Sequence, residues 1–164
     1  MHQGELNLEL VAYFNQMIEM RKRMKEMSLK FICFEEFVQK NGTVYTKFSR
    51  RKYRQSEMGQ CFMNAFHLAD EKKLIYVEGF AIPGSFPFPF PMLHAWVVDQ
   101  NGLILDPTWF GKSRRGTEYW GVPFKMEFVR KTIFARGSYG IIDNMEQRFP
   151  LLSGTVDENE WKVI

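Results

Sequence analysis

The stretch LHAWVVDQNGLILDPTW, residues 93–109, joins two apolar, strand-like runs through Asn101-Gly102. An Asn-Gly pair between apolar and β-branched residues is typical of a β-hairpin. Apart from His94 and Asp106, both faces of these runs are apolar, so the sequence predicts a sheet that is buried on both sides. A buried imidazole and a buried carboxylate each lose hydration, which is costly unless they bond to a partner.

The length of the hairpin loop decides whether His94 and Asp106 can meet. A two-residue loop would send them to opposite faces of the sheet, because side chains alternate along a strand. A three-residue loop over 100–102, with Gly102 in the left-handed conformation, brings both side chains to one face. We predict the three-residue loop and therefore a histidine–aspartate pair.

Cys61 is a candidate nucleophile for this pair. It begins a predicted helix over residues 60–72, QCFMNAFHLADEK, which contains no Pro, Gly or β-branched residue. The N–H groups at a helix N-terminus and a nearby imidazolium both favour the thiolate. Thiol catalysis needs a nucleophile, a base and a group that orients the base, and Cys61, His94 and Asp106 supply one of each. The structural alternative is that each is an ordinary core residue.

The remaining cysteine and histidines receive structural interpretations. Cys33, within FICF, reads as a small buried hydrophobic residue. His2 lies on a terminal segment, and His67 faces away from Cys61 on the predicted helix. Because the chain has no close Cys and His pairs with ligand spacing, we expect neither a metal site nor a cofactor.

Three ordered motifs resemble the core of the transglutaminase-like cysteine enzymes, which are related to papain. They are GQCFMNAF at 59–66, HAW at 94–96 and DPTW at 106–109, and YVEGFAI and GTEYWGVPF are similar as well. The resemblance covers about residues 55–124 and implies an α+β fold in which a cysteine-bearing helix packs on an antiparallel sheet carrying His and Asp. It implies Cys61 as nucleophile, His94 as general base and acid, and Asp106 as the orienting group. Calcium activation is not carried over, since the acidic loops and extra domains of animal transglutaminases are missing from this sequence.

The resemblance to this family and the positions of residues on the predicted helix indicate further site residues. The Cys61 N–H is one oxyanion donor, and Gln55 corresponds to the oxyanion glutamine of papain-like enzymes, unless it is simply a solvated side chain. Asn64, one helical turn after Cys61, would bind substrate or the sheet. We interpret Trp96 and Trp109 as core or rim aromatics that could also contact substrate, with Trp109 shielding a thioester from water.

Composition limits the remaining possibilities. The 164 residues fit one domain, 1–164, and the N-terminal MHQGELNLEL lacks the pattern of a secretory signal, so we expect a cytoplasmic protein without a membrane segment. The net charge is only +3, but two basic clusters stand out: Arg21, Lys22, Arg23 and Lys25, and Lys47, Arg50, Arg51, Lys52 and Arg54. A solvated surface is favoured over nucleic-acid binding for both.

The spacing of apolar residues and the positions of turn-forming residues predict the other elements. Apolar spacing indicates a helix from Glu5 to about Met27, and Asn41-Gly42 suggests a second hairpin, although FICFEEFVQK, residues 31–40, could instead continue as helix. LIYVEGFAI reads as a strand, PGSFPFPFP at 83–91 as an extended loop, and KMEFVRKTIF at 125–134 as a strand.

These observations favour a cysteine hydrolase or acyltransferase that forms a thioester on Cys61 from an amide. The expected substrate is a protein or peptide, and hydrolysis by a peptidase or deamidase ranks slightly above transfer to an amine. The alternative is a non-catalytic module that keeps the same fold and binds protein or nucleic acid. The sequence leaves the oligomeric state open.

Overall fold

One antiparallel sheet with helices packed on it organises the computed structural model, which describes residues 8–24, 29–84, 90–111 and 114–163. In chain order the elements are α1 (Leu8–Met24), α2 (Phe34–Asn41), β1 (Thr43–Tyr45), α3 (Cys61–Lys72), β2 (Ile75–Ile82), β3 (Met92–Val98), β4 (Ile104–Leu105), β5 (Glu118–Phe124), α4 (Met126–Arg136), α5 (Pro150–Ser153) and α6 (Glu158–Trp161). Within these ranges every helix is too short or too polar to span a bilayer.

The five strands lie in the order β1-β5-β2-β3-β4, and every pairing between neighbours is antiparallel. Strand β2 occupies the centre and pairs along its length with β5 on one side and β3 on the other. The mixed α+β class and the antiparallel sheet are therefore confirmed. The finer assignment to a transglutaminase-like architecture stays a prediction.

The two faces of the sheet carry different cores. Side chains such as Tyr76, Ala95 and Val97 join the larger core with Ala65 and Leu68 of α3. The alternate side chains form a second core on the opposite face: Tyr45, Val77, Ala81, Trp96, Val98, Ile104, Trp109 and Tyr119. Because side chains alternate along β3, His94 points to the second core, away from the body of α3.

The hairpin between β3 and β4 has the predicted three-residue loop. Val97 pairs with Leu105 and Val98 with Ile104, so Asp106 follows on the same face as His94. Gly102 has a φ of 72°, in the left-handed region that favours glycine. This prediction is confirmed, and it is the register that allows the two polar side chains to meet.

The structure decides between the two alternatives for the region before Asn41-Gly42 and corrects one other element prediction. Residues 34–41 form α2, as the helical alternative predicts, and Gly42 has an extended backbone (φ −90°, ψ 171°) rather than the conformation of a hairpin turn. Residues 126–136 form α4 rather than a strand, because Phe128, Val129 and Thr132 lie on one side of a helix and are buried there. Burial at helical spacing overrides the strand preference of the β-branched residues.

The structure contains the other expected elements, which are helices α1 and α3 and strands β2, β3 and β4. The expected end of α1 at Met27, the cation Lys25 and His2 lie outside the described residues. Most of the 83–91 loop, residues 85–89, also lies outside them.

Candidate active site

The core of the site is a buried histidine–aspartate pair. His94 Nε2 lies 2.8 Å from Asp106 Oδ2, and each residue is only 1% exposed. His94 comes from β3 and Asp106 directly follows β4, so the hairpin register holds the two groups together. An imidazole held in this way on one nitrogen has its orientation and tautomer fixed.

The Asp106 carboxylate accepts three further hydrogen bonds. Its Oδ1 accepts from the backbone N–H groups of Thr108 and Trp109, both at 2.9 Å. Its Oδ2, which bonds His94, also accepts from the Tyr119 hydroxyl at 2.8 Å. Four donors compensate the loss of water around this buried charge.

Tyr119 supports the pair from β5, the strand on the far side of β2. Its hydroxyl accepts a hydrogen bond from the Gly116 N–H at 2.9 Å and donates to Asp106. Burial and the neighbouring Asp106 charge raise the pKa of Tyr119 well above its usual value, so the hydroxyl keeps its proton. Sequence reasoning did not find this residue, although the resemblance included the GTEYWGVPF segment that contains it.

Aromatic rings enclose the imidazole. The Trp109 ring stacks on His94 with centroids 3.7 Å apart and an interplanar angle of 8°. Trp96 lies farther away, with its centroid 6.2 Å from that of His94, and is completely buried in the second core. The structure thus places Trp109 against the catalytic candidate, whereas Trp96 has no surface with which to contact a substrate.

Cys61 is the third member of the site. It is the first residue of α3 and is only partly buried, and its side chain is among the groups that raise the pKa of His94. Strand β4 pairs with β3 at Val97 and Val98, and within the described residues no strand pairs with His94 on that edge of β3. Since Nε2 is bonded to Asp106, Nδ1 is the ring nitrogen left for the thiol.

The charge of His94 follows from these neighbours. Burial lowers the pKa of the imidazole, but the charge of Asp106, the hydrogen bond to it and the Cys61 side chain outweigh burial and raise the pKa to about 9. At neutral pH the ring is therefore a cation beside the sulfur. In thiol enzymes an imidazolium next to a cysteine favours the thiolate, which is the reactive form.

The beginning of α3 offers a donor for a developing oxyanion. The first N–H groups of a helix have no partner within it, and Cys61 occupies the first position. The Gln60 side chain makes no capping hydrogen bond to this end. Gln55, the predicted second donor, lies exposed in the segment before α3 and lines a groove together with Gln60.

That groove has a volume of about 470 Å³ and lies along α3, and neither Cys61 nor His94 is among its lining residues. Its lining combines apolar, amide and charged side chains: Arg54, Gln55, Ser56, Glu57, Gln60, Met63, Asn64, His67, Leu68, Glu71 and Phe110. Because Gln60 and Asn64 lie on either side of Cys61 along the helix, we expect a polypeptide bound in this groove to lie near the start of α3.

Asn64 connects the helix to the segment that carries Asp106. Its side-chain amide donates to the Glu57 carbonyl at 2.8 Å and to the Thr108 hydroxyl at 3.0 Å. Both donors therefore have protein partners. Of the two alternatives for Asn64, this geometry favours a structural link over contact with substrate.

The other cysteine and histidine lie apart from this site. Cys33 is buried, and burial raises the pKa of its thiol to about 11, which makes it unreactive at neutral pH. His67 lies on the exposed side of α3, with Nε2 3.1 Å from the Tyr139 hydroxyl. Within the described residues no group of three or more His, Cys, Asp and Glu side chains is arranged to hold a metal ion.

Comparison with known proteins gives no family assignment: no family model, curated protein or solved structure matches this chain.

Proposed function

We propose that this protein is a cysteine hydrolase or acyltransferase that cleaves an amide through a thioester on Cys61. The observation that carries the proposal is the environment of the His94 ring, which bonds Asp106 through Nε2 and whose pKa is raised by Asp106 and by the Cys61 side chain. In thiol catalysis these groups would act as acid–base group, orienting carboxylate and nucleophile. The transglutaminase-like motifs support the same reading.

In the first half-reaction the Cys61 thiolate attacks the amide carbonyl carbon, and the developing oxyanion is stabilised by the Cys61 N–H. The carbon–nitrogen bond then breaks. The His94 imidazolium gives its proton to the departing nitrogen, which leaves as ammonia or an amine. The products are a thioester on Cys61 and a neutral imidazole.

In the second half-reaction the neutral His94 removes a proton from water as the water oxygen attacks the thioester carbonyl. The carbon–sulfur bond breaks, the carboxylic acid leaves, and the thiolate–imidazolium pair is restored. An amine in place of water would give acyl transfer. We favour water because His94 is nearly inaccessible, and only a small acceptor approaches such a ring without rearrangement.

Selective alkylation of Cys61 tests the reactive state of the site. With iodoacetamide at neutral pH, we expect labelling at Cys61 and not at the buried Cys33. His94→Gln removes the cation beside the sulfur, so the rate is expected to fall by roughly tenfold or more. Peptide mapping by mass spectrometry assigns the labelled residue, and circular dichroism checks that the variant is folded.

Trapping of the thioester tests the reaction itself. Incubated with a glutamine-containing peptide and quenched in acid, the protein is expected to gain the mass of the peptide minus ammonia, and Cys61→Ala abolishes the adduct. Cys33→Ala is the matched control and retains it. If Cys61 labels equally well in His94→Gln and no amide forms an adduct, the enzyme proposal is wrong and the non-catalytic binding module is favoured.

A further inference from the structure

An exposed basic segment, residues 47–54, leads to the candidate active site. Five of its eight residues are cations, all of them exposed: Lys47, Arg50, Arg51, Lys52 and Arg54. No Asp or Glu occurs anywhere from 43 to 56. Since the whole chain has a net charge of only +3, the rest of the molecule is net negative, and the positive field is concentrated along this segment.

The backbone of the basic segment is held in place although it forms neither helix nor strand. Ile104 N–H donates to the Lys47 carbonyl and Ser49 N–H to the Ile104 carbonyl, each at 2.8 Å. Farther along, the Tyr53 hydroxyl donates to the Asp106 carbonyl at 3.2 Å. Ser56 N–H then donates to the Pro107 carbonyl at 2.9 Å. The segment thus runs beside 104–107 and ends at the groove along α3.

The cations of the segment form no salt bridge with the described residues, although Arg54, after Lys72, helps to lower the pKa of the Glu71 carboxyl in the groove. In the described part of the chain none of the five forms a salt bridge, whereas cations elsewhere, such as Lys22, Lys40 and Arg130, do. An anchored row of unpaired cations presents its charge to an external anion without first breaking an ion pair. This arrangement is suited to steering and binding an acidic partner.

We propose that the basic segment docks an acidic stretch of a polypeptide and thereby presents a neighbouring amide to Cys61. This inference rests on the proposed function and defines the substrate class as proteins or peptides with acidic residues beside the reacting amide. Arginines bind carboxylates through paired hydrogen bonds, and Arg54 belongs both to the segment and to the groove. The groove itself holds Glu57 and Glu71, so the acidic stretch lies on the segment and only uncharged residues enter the groove.

The aromatic rings of the segment favour a polypeptide over a nucleic acid. Single-stranded nucleic acids bind by stacking bases on exposed rings. Arg115 lies over the Phe48 ring at 4.6 Å, and Tyr119 packs edge-on against the same ring at 5.7 Å. Tyr53 is partly buried and its hydroxyl is bonded to Asp106. Neither ring is free to stack on a base.

Binding measured without turnover tests the proposal. The partners are Cys61→Ala protein and fluorescently labelled peptides that contain one glutamine flanked by acidic or by uncharged residues. We expect the acidic peptide to bind more tightly and its affinity to fall as salt is added. Arg50→Gln with Arg51→Gln is expected to weaken it by roughly five- to tenfold. The matched control, Arg21→Gln with Arg23→Gln on α1, removes the same charge from another exposed site and is expected to change affinity little.

The possible outcomes separate the alternatives. Equal binding of both peptides, or equal weakening by the α1 control, overturns the docking proposal. Tighter binding of a single-stranded oligonucleotide of matched charge overturns it in favour of nucleic acid. Salt-sensitive binding of the acidic peptide that depends on Arg50 and Arg51 supports it. If the acidic peptide binds in this way but the native protein forms no thioester, the docking proposal holds and the proposed reaction is wrong. The two proposals can therefore fail separately.

Discussion

The Asp106 side chain illustrates how single atoms determine the state of the site. Its two oxygens have different partners: Oδ1 accepts from two backbone N–H groups, and Oδ2 accepts from His94 and Tyr119. A carboxylate can accept at both positions, but an amide can accept at only one. The backbone donors therefore dictate how an asparagine would be oriented here.

Asp106→Asn is expected to lower turnover by roughly a thousandfold or more, with little change in fold. The asparagine oxygen would face the two backbone donors and its NH₂ group would face His94, so Nε2 would have to accept. The ring proton would then lie on Nδ1, which could no longer take a proton on the side of Cys61. Steady-state kinetics on an amide substrate measure this loss.

Tyr119→Phe is the control for this substitution. It removes one donor to Asp106 but retains the carboxylate and the histidine tautomer, so we expect turnover to fall by less than about tenfold. Turnover of Asp106→Asn similar to that of the native protein would show that the carboxylate does not orient His94 during the reaction.

Packing between elements determines where the aromatic rings of the site lie. Gly121 of β5 has no space for a side chain: an added Cβ would lie 2.5 Å from the Trp96 ring and 2.8 Å from the Glu78 carbonyl oxygen. The glycine thus leaves room for the Trp96 ring of β3 to reach across β2 to β5. Trp96 in turn contacts Tyr119 edge-on, with centroids 5.0 Å apart.

Gly121→Ala is expected to destabilise the fold by about 1–3 kcal/mol, because it overpacks the second core and the backbone carbonyl cannot move aside. It also displaces Trp96 towards Tyr119, so alkylation of Cys61 is expected to slow. Urea unfolding measures the first effect and iodoacetamide labelling the second. Gly137→Ala is the control: it strains a backbone with φ of 69° but meets no atom within 4 Å. It is expected to leave labelling unchanged.

The elements that could be predicted from the sequence are those whose local signals agree with their burial. In the β3–β4 hairpin, the loop residues and the apolar alternation both require one register, and the structure has it. In 125–134, β-branched residues favour a strand, but the buried set Phe128, Val129 and Thr132 has helical spacing and Gly137 ends the helix in the left-handed conformation. Where the two signals disagree, tertiary packing decides.

The residues of the candidate site also differ in how far the sequence alone could indicate them. Cys61, His94 and Asp106 could be found because they are unusual residues in apolar or helix-starting contexts. Asn64 could be singled out by its position one turn after Cys61, but its bond to Thr108 could not be distinguished from contact with substrate. Tyr119 could not be found, because its hydroxyl bonds Asp106 across two strands and this contact leaves no local pattern in the chain.

At the scale of the whole molecule, a second buried carboxyl makes stability depend on pH. Glu78 of β2 is completely buried and accepts hydrogen bonds from the Tyr76 hydroxyl at 2.6 Å and the Ile142 N–H at 2.9 Å. Burial outweighs these bonds and raises the pKa of Glu78 from about 4.5 to about 7. Between these two values the folded protein binds more protons than the unfolded chain, so its stability falls as the pH rises.

Glu78→Gln is expected to remove this dependence. The native protein loses roughly 3 kcal/mol relative to the variant between pH 4.5 and pH 8, since the neutral amide needs no proton to remain buried. The Tyr76 hydroxyl can accept from the new NH₂ group, which limits the cost of the substitution. Urea unfolding of both proteins at the two pH values measures the difference.

The native protein and the Glu78→Gln variant must be compared with each other because His94 titrates as well. Its raised pKa of about 9 contributes stability below its ordinary value of 6.5, and this contribution is lost as the pH rises through 9. That loss is common to both proteins and cancels. A difference that stays constant from pH 4.5 to pH 8 would show that Glu78 has an ordinary pKa.

The enclosure of His94 also constrains the order of events. With Trp109 against one face, Asp106 on one nitrogen and only 1% of the residue exposed, the described residues leave little of the imidazole open to solvent. Under the proposed mechanism the outgoing amine and the incoming water must in turn occupy the same space between His94 and the thioester. The first product is thus released before the second reactant enters, and kinetics with two varied substrates would give parallel double-reciprocal lines.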